Sequence, residues 1–149
     1  MLYWRATGPN HLLEVKLEAR TGALVEVGVV LVPPVRVRAG GSLQSFEAGG
    51  NCTVGHPSFV TDAWIVRTRG SELVDPSRRR IDEDVPFDLV VCGDGLIVSF
   101  TRSGPGQTVT EGDASFSFDD RQELSALSVR LTAEQVAVLK RSLLDVSIP

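Results

Sequence analysis

The sequence predicts a mainly β (α+β) fold, an antiparallel β-sandwich or open barrel with one C-terminal helix. Three observations carry this expectation. Valine occurs 21 times in 149 residues, with nine Thr and four Ile, and β-branched side chains suit a pleated surface better than a helical turn. Fourteen Gly and eight Pro punctuate the chain, as many short strands require. Apolar residues recur with a period of two along most of the chain, and only near the C-terminus does a helical period replace it. The length favours one domain over 1–149, with no internal repeat or long linker.

The first element is a hairpin. Over His11–Ala19, Leu13, Val15, Leu17 and Ala19 share one face and Glu14, Lys16 and Glu18 the other, the alternation of a half-buried strand. Arg20-Thr21-Gly22 forms a three-residue loop, with Gly22 in the left-handed position. That register sets Leu17 opposite Val25, Val15 opposite Val27 and Leu13 opposite Val29. The return strand, Leu24–Val32, is apolar on both faces towards its end, which predicts a central strand rather than an edge. Pro33-Pro34 ends it, because neither residue can donate a ladder hydrogen bond.

Val35–Arg38 reads as a short strand, and Ala39–Asn51 as loop with a β piece near Leu43–Phe46. Phe59–Arg69 is a further strand, and Gly70–Pro86 a solvated connection. A second hairpin joins Phe87–Cys92 to Leu96–Thr101. A two-residue Asp94-Gly95 turn pairs Val91 with Val98 and Leu89 with Phe100. Ser103–Asp113 reads as loop, and Ala114–Phe118 and Leu124–Leu131 as strands. Thr132-Ala133-Glu134-Gln135 then fits a capping box. Val136, Leu139 and Leu143 follow as the apolar stripe of a helix over about 132–145, with Glu134 early and Lys140 and Arg141 late to suit its dipole.

Fifteen Lys and Arg against nineteen Asp and Glu give a net charge of −4 and a pI near 5.1. Nucleic-acid binding needs a basic face, so none is expected. The N-terminus carries no secretory pattern, and no run approaches the ~18 apolar residues of a membrane span. Two cysteines make no disulfide framework. Arginine outnumbers lysine 13 to 2, which we read as the trace of GC-rich bacterial coding. A cytoplasmic bacterial protein is the resulting expectation.

The residues that chemistry would need are sparse. The histidines are His11 and His56, with no G-x-S-x-G elbow; His11 reads as a surface imidazole at a turn. Cys52 and His56 are four apart, and Cys92 or Asp62 would have to complete a zinc site, whereas Cys92 among Leu89, Val90 and Val91 reads as a small buried hydrophobe. Asp62 lies on the same predicted strand face as Trp64. Arg78-Arg79-Arg80 is followed at once by Asp82-Glu83-Asp84, which cancels its field. Gly93-Asp94-Gly95 lacks a dinucleotide pattern and serves as a turn. No catalytic set, metal site or cofactor is expected.

The run Tyr3-Trp4, Gly8, Asn10, Leu12-Leu13-Glu14-Val15 and Thr21-Gly22 resembles the opening strands of small bacterial proteins, some assigned as immunity proteins of polymorphic toxin systems. The likeness spans about the first 32 residues and implies a protein that blocks a toxin partner. Two function classes follow. The first is a non-enzymatic interaction module that presents Asp82, Glu83, Asp84, Asp119, Asp120 and Glu123 to a basic protein partner, such as a toxin nuclease. The second is a small β-barrel enzyme or ligand-binding protein with a site near Cys52, His56, Asp62 and Trp64. A homodimer fits either class, since open β architectures have edges to cover.

Overall fold

The structure is a computed structural model and describes residues 1–44, 51–61, 64, 80–100 and 106–144. Its strands are β1 (Leu2–Gly8), β2 (His11–Leu17), β3 (Leu24–Leu31), β4 (Val37–Ala39), β5 (Asn51–Val54), β6 (Arg80–Glu83), β7 (Phe87–Val91), β8 (Gly95–Phe100), β9 (Gln107–Glu111), β10 (Ala114–Phe118) and β11 (Leu124–Arg130), followed by the helix α1 (Ala133–Leu143). The fold is mainly β with a C-terminal helix. It divides into two compact units, Met1–Leu31 with His56–Pro86 and Val32–Gly55 with Phe87–Pro149. The strands form one sheet of four, ordered β3-β2-β1-β6, and one of seven, ordered β4-β7-β8-β11-β10-β9-β5. Among the described residues, neither sheet closes into a barrel. Both are mixed rather than purely antiparallel: β6 runs parallel to β1, β4 to β7 and β5 to β9.

In the first unit, the alternation of β2 does what its pattern predicts. Leu13, Val15 and Leu17 are buried, together with Leu2 and Ala6 of β1 and Ile81 of β6. The β2–β3 register pairs Val15 with Val27 and Leu13 with Val29 as expected, but Leu17 faces Leu24 and not Val25. A bulge at Val25 absorbs the extra residue, and a second lies near Val30. The loop between them is organised by Glu18. Its carboxylate accepts from the amides of Arg20 (3.0 Å) and Thr21 (2.7 Å) and from the Thr21 hydroxyl (2.7 Å). Gly22 has φ 69°, as predicted, and any Cβ there would run into the Phe59 carbonyl.

The central position expected for β3 is overturned: it is the edge strand of its sheet. Apolar residues on both faces predicted cover on both sides, yet Val25, Val30 and Leu31 are 52, 65 and 51% exposed. Arg80–Glu83, read as connection, is a strand because it finds the free edge of β1. Phe59, Val60 and Thr61 are not strand, and Trp64 sits in a helical turn with its amide bonded to the Thr61 carbonyl (3.0 Å). The rest of the strand expected over Phe59–Arg69 lies outside the described residues, as do Arg78 and Arg79.

In the second unit, Phe87, Leu89 and Val91 of β7 bury against Val98 and Phe100 of β8, with Phe116 of β10 also buried. The hairpin register differs from the expected one by two residues. Val91 pairs with Leu96, Leu89 with Val98 and Phe87 with Phe100. The Cys92 amide donates to the Gly95 carbonyl at 2.8 Å, so the turn is Gly93-Asp94, and neither residue has a positive φ. A shift of two keeps every side chain on its face, so alternation cannot choose between these registers. The observed one gains an edge-to-face contact of Phe87 with Phe100, with centroids 6.3 Å apart, and frees the Asp94 carboxylate to accept from the Leu43 amide at 3.0 Å.

Three further segments depart from expectation. Pro34–Arg36 is a 3-10 turn, with β4 only after it, because successive prolines fix the entry. Leu43 and Gln44 are helical, with Leu43 buried against Cys92 and Ile97. Within the loop expected over Ser103–Asp113, Gln107–Glu111 is β9. The helix is as predicted. Thr132 and Gln135 form both bonds of the capping box, which contributes about 1 kcal/mol. Val136 is buried and Leu139 and Leu143 half-buried, while Lys140 is exposed. No helix among the described residues is long and apolar enough to cross a membrane.

The Glu18 loop generates a pH dependence. Its three hydrogen bonds, the one from the Thr21 hydroxyl foremost, hold the carboxyl at about 2, below the usual 4.5. A group held low stabilises the fold fully above pH 4.5 and loses that contribution as the pH falls towards 2. Glu18→Gln is therefore expected to lower the urea midpoint at pH 6, with the gap to wild type narrowing below pH 4.5. Denaturation curves at several pH values check this, and a gap independent of pH would contradict it.

Candidate interaction surfaces

The six acids expected to meet a partner fall into two groups, one in each unit, and in each group one acid has a structural task. Asp82 lies directly across from Arg5 in the β1–β6 ladder. Its carboxylate accepts from Arg5 Nε at 2.8 Å and Nη2 at 3.1 Å, and Arg80 Nε stands 3.3 Å away. Arg80 reaches it because residues two apart on a strand share a face. The pair holds the Arg5 guanidinium firmly in its charged form, the hydrogen bond being the larger cause. Beyond it, Glu83 and Asp84 are exposed; the Glu83 carbonyl accepts the Val85 amide at 3.0 Å, so the chain turns there.

Asp119 plays the corresponding part in the β10–β11 turn. It is 5% exposed, and its Oδ1 accepts from the amides of Arg121 and Glu123, both at 2.9 Å. Its own amide donates to the Glu123 carbonyl, and its carbonyl accepts the Gln122 amide. This network holds Gln122 in a left-handed conformation, φ 61°, a local use of a short carboxylate that turns favour. Asp120 and Glu123 are exposed on the same turn.

The residues of the alternative site have other surroundings. Trp64 is 6% exposed and donates its indole N–H to the Tyr3 carbonyl at 3.2 Å, so it is a core residue of the first unit. His56 is exposed and begins the second segment of that unit, whereas Cys52, on β5, belongs to the other. Asp62 lies outside the described residues. The Cys52 thiol is exposed and lies 3.3 Å from the Thr110 hydroxyl. Cys92 is buried beside Leu43 and Ile97, and burial pushes its thiol up. Among the described residues, no group of three or more His, Cys, Asp and Glu could hold a metal. His11 is half-buried at the start of β2, and its ring occupies the space that a Cβ on Gly8 would need.

Three features of the structure go beyond what the sequence predicts. The first is the open edge of β3. The second is a row of hydroxyls crossing β9 and β10, where Thr108 lies 3.1 Å from Ser117 and Thr110 3.1 Å from Ser115; Thr108, Ser115 and Ser117 are buried. The third is a shallow apolar groove of about 400 Å³ beside α1, lined by Leu131, Glu134, Gln135, Val138 and Leu139. The signal for the hydroxyl row lies in the alternation of Thr108, Thr110, Ser115 and Ser117, but only Ser115 and Ser117 fall in an expected strand, Thr108 and Thr110 lying in the stretch expected as loop. Compared with known families and curated proteins, the chain matches no family model and no curated protein.

Two measurements separate supporting from exposed groups. Asp119→Ala leaves two turn amides without their acceptor and is expected to cost about 1–3 kcal/mol in urea denaturation, whereas Asp120→Ala stays within about 0.5 kcal/mol of wild type. Equal effects would contradict the assignment. In a thiol titration with Ellman's reagent, Cys52 is expected to react in the folded protein and Cys92 only after denaturant is added.

Proposed function

We propose that the protein is a non-enzymatic interaction module of the immunity type, which binds a basic protein partner through exposed carboxylates. The observation that carries this reading is the clustering of exposed acids beside carboxylates that are held in place. Asp82 and Asp119 are anchored by Arg5, Arg80 and the turn amides, and Glu83, Asp84, Asp120 and Glu123 are exposed next to them at strand ends. Supported side chains present neighbouring charges in a fixed place, which lowers the ordering cost of binding. With a net charge of −4, such groups steer a basic partner and make association sensitive to salt. A toxin nuclease is one protein of that chemistry, and neutralising it before release would place this protein in the bacterial cytoplasm. The resemblance of the opening strands to immunity proteins points the same way.

The test compares wild type with Glu83→Lys/Asp84→Lys/Asp120→Lys/Glu123→Lys as baits in lysate of the source cells. Wild type is expected to retain a basic protein that elutes as salt is raised, and the reversed variant to lose it. Equal retention by both baits, or none by either, overturns the reading.

A further inference from the structure

Among the described residues, the two open sheets leave four edge strands, β3 and β6 in one and β4 and β5 in the other. An exposed edge offers unpaired N–H and C=O groups to any other chain, and proteins restrain edges by keeping them short or charged. β4, β5 and β6 span three, four and four residues, and β6 carries Arg80, Asp82 and Glu83. β3 has neither protection. It is eight residues long, and its one charge, Glu26, is occupied by Lys16 at 2.8 Å.

Part of this edge is already used. The Leu24 amide donates to the Pro57 carbonyl at 3.3 Å, the Phe59 amide to the Gly22 carbonyl at 2.8 Å, and Ala23 bridges Ser58. That cover stops at Leu24. From Val25 to Leu31 the outer side of β3 has no strand neighbour among the described residues, and Val25, Val29, Val30 and Leu31 are 52, 37, 65 and 51% exposed.

We propose that this edge pairs antiparallel with β3 of a second copy of the chain, about a two-fold axis through Val27. The argument for a second copy is that the strand is complementary to itself in this register. Val27 faces Val27 of the second copy and Val25 faces Val29, so apolar side chains meet on one face. Glu26 falls opposite Gly28, so no like charges oppose each other and the missing side chain leaves room for the Glu26 stem. The pairing uses the stretch between the two bulges with Val25 at its end, and it stays clear of the covered residues Ala23 and Leu24. It joins two four-stranded sheets into one of eight strands through an isologous contact, which closes after two copies. None of these residues belongs to the acidic groups, so the dimer and the partner surface stand or fall separately.

Sedimentation velocity of the full chain over a concentration series tests the proposal. A species of twice 16.1 kDa is expected, and Val25→Lys/Val29→Lys, which sets lysines opposite each other, is expected to sediment as monomer with an unchanged circular dichroism spectrum. A second measurement does not depend on that variant. In a Cys52→Ser background, Val27→Cys is expected to form a disulfide-linked dimer under mild oxidation, and Glu26→Cys to form far less. A wild-type chain that remains at 16.1 kDa at every concentration overturns the proposal and leaves the edge to a strand of a different protein. A dimer that survives the double lysine variant, or equal cross-linking at positions 26 and 27, overturns it by placing the contact elsewhere.

Discussion

The antiparallel pairing of β2 with β1 on one side and β3 on the other is the interaction on which the four-stranded sheet rests. Seven residue pairs join β1 to β2 without interruption, from Leu2–Leu17 to Gly8–His11. Once that register is set, Ala6, Leu13, Val15 and Leu17 must share the buried face, and a slip by one residue would expose all of them. The other strands adapt to it. β3 takes up the mismatch in two bulges, and β6 arrives from 77 residues away to pair with β1. The buried apolar row explains why the adjustments fall on β3 and not on β2: a bulge in the outer strand moves exposed side chains, while a bulge in β2 would break the core.

The parallel edge strands share a second device. Parallel ladders are slightly weaker per residue than antiparallel ones, and β4, β5 and β6 are each too short to offset this with many bonds. Each has a side-chain contact to its sheet as well. Arg5 and Asp82 tie β6 to β1, Arg38 and Asp88 tie β4 to β7 at 3.4 Å, and Cys52 and Thr110 bring β5 to β9. The arginine pairs are partly exposed, so each is a modest contribution. Their role is better described as fixing which way a short strand lies than as supplying stability.

How much of this was legible in the sequence follows from what each signal contains. The alternation over Leu13–Leu17, the left-handed glycine at position 22 and the Thr132–Gln135 capping box are local, and each was correct in the structure. The Phe87–Phe100 hairpin was visible as a hairpin, but its register depended on an aromatic contact and on an acceptor for the distant Leu43 amide, neither of which a period of two contains. β5, β6 and β9 were missed because they are short and polar and become strands only by joining an existing ladder. The valines of β3 misled for the opposite reason, since apolar residues on both faces usually mean cover. Among the acids, composition could not tell the supporting parts of Asp82 and Asp119 from those of the acids beside them, because that distinction is made by Arg5 and by turn amides.

The order in which the chain visits its two units bears on how it is made. The first unit is built from Met1–Leu31 and His56–Pro86, the second from Val32–Gly55 and Phe87–Pro149. Neither is a continuous piece of sequence. As the chain leaves the ribosome, the β1–β2–β3 meander emerges early, but its unit waits for β6, and β4 and β5 in turn wait for β7 and β9 to pair with them. Domains of many proteins fold one after another from the N-terminus during synthesis; here the first unit can be completed only once Pro86 has been made, with Val32–Gly55 of the second unit already synthesised between its two segments. The open edges of a half-made sheet are then on show for much of translation, and the short or charged character of β4, β5 and β6 is a safeguard for the growing chain as well as for the finished one.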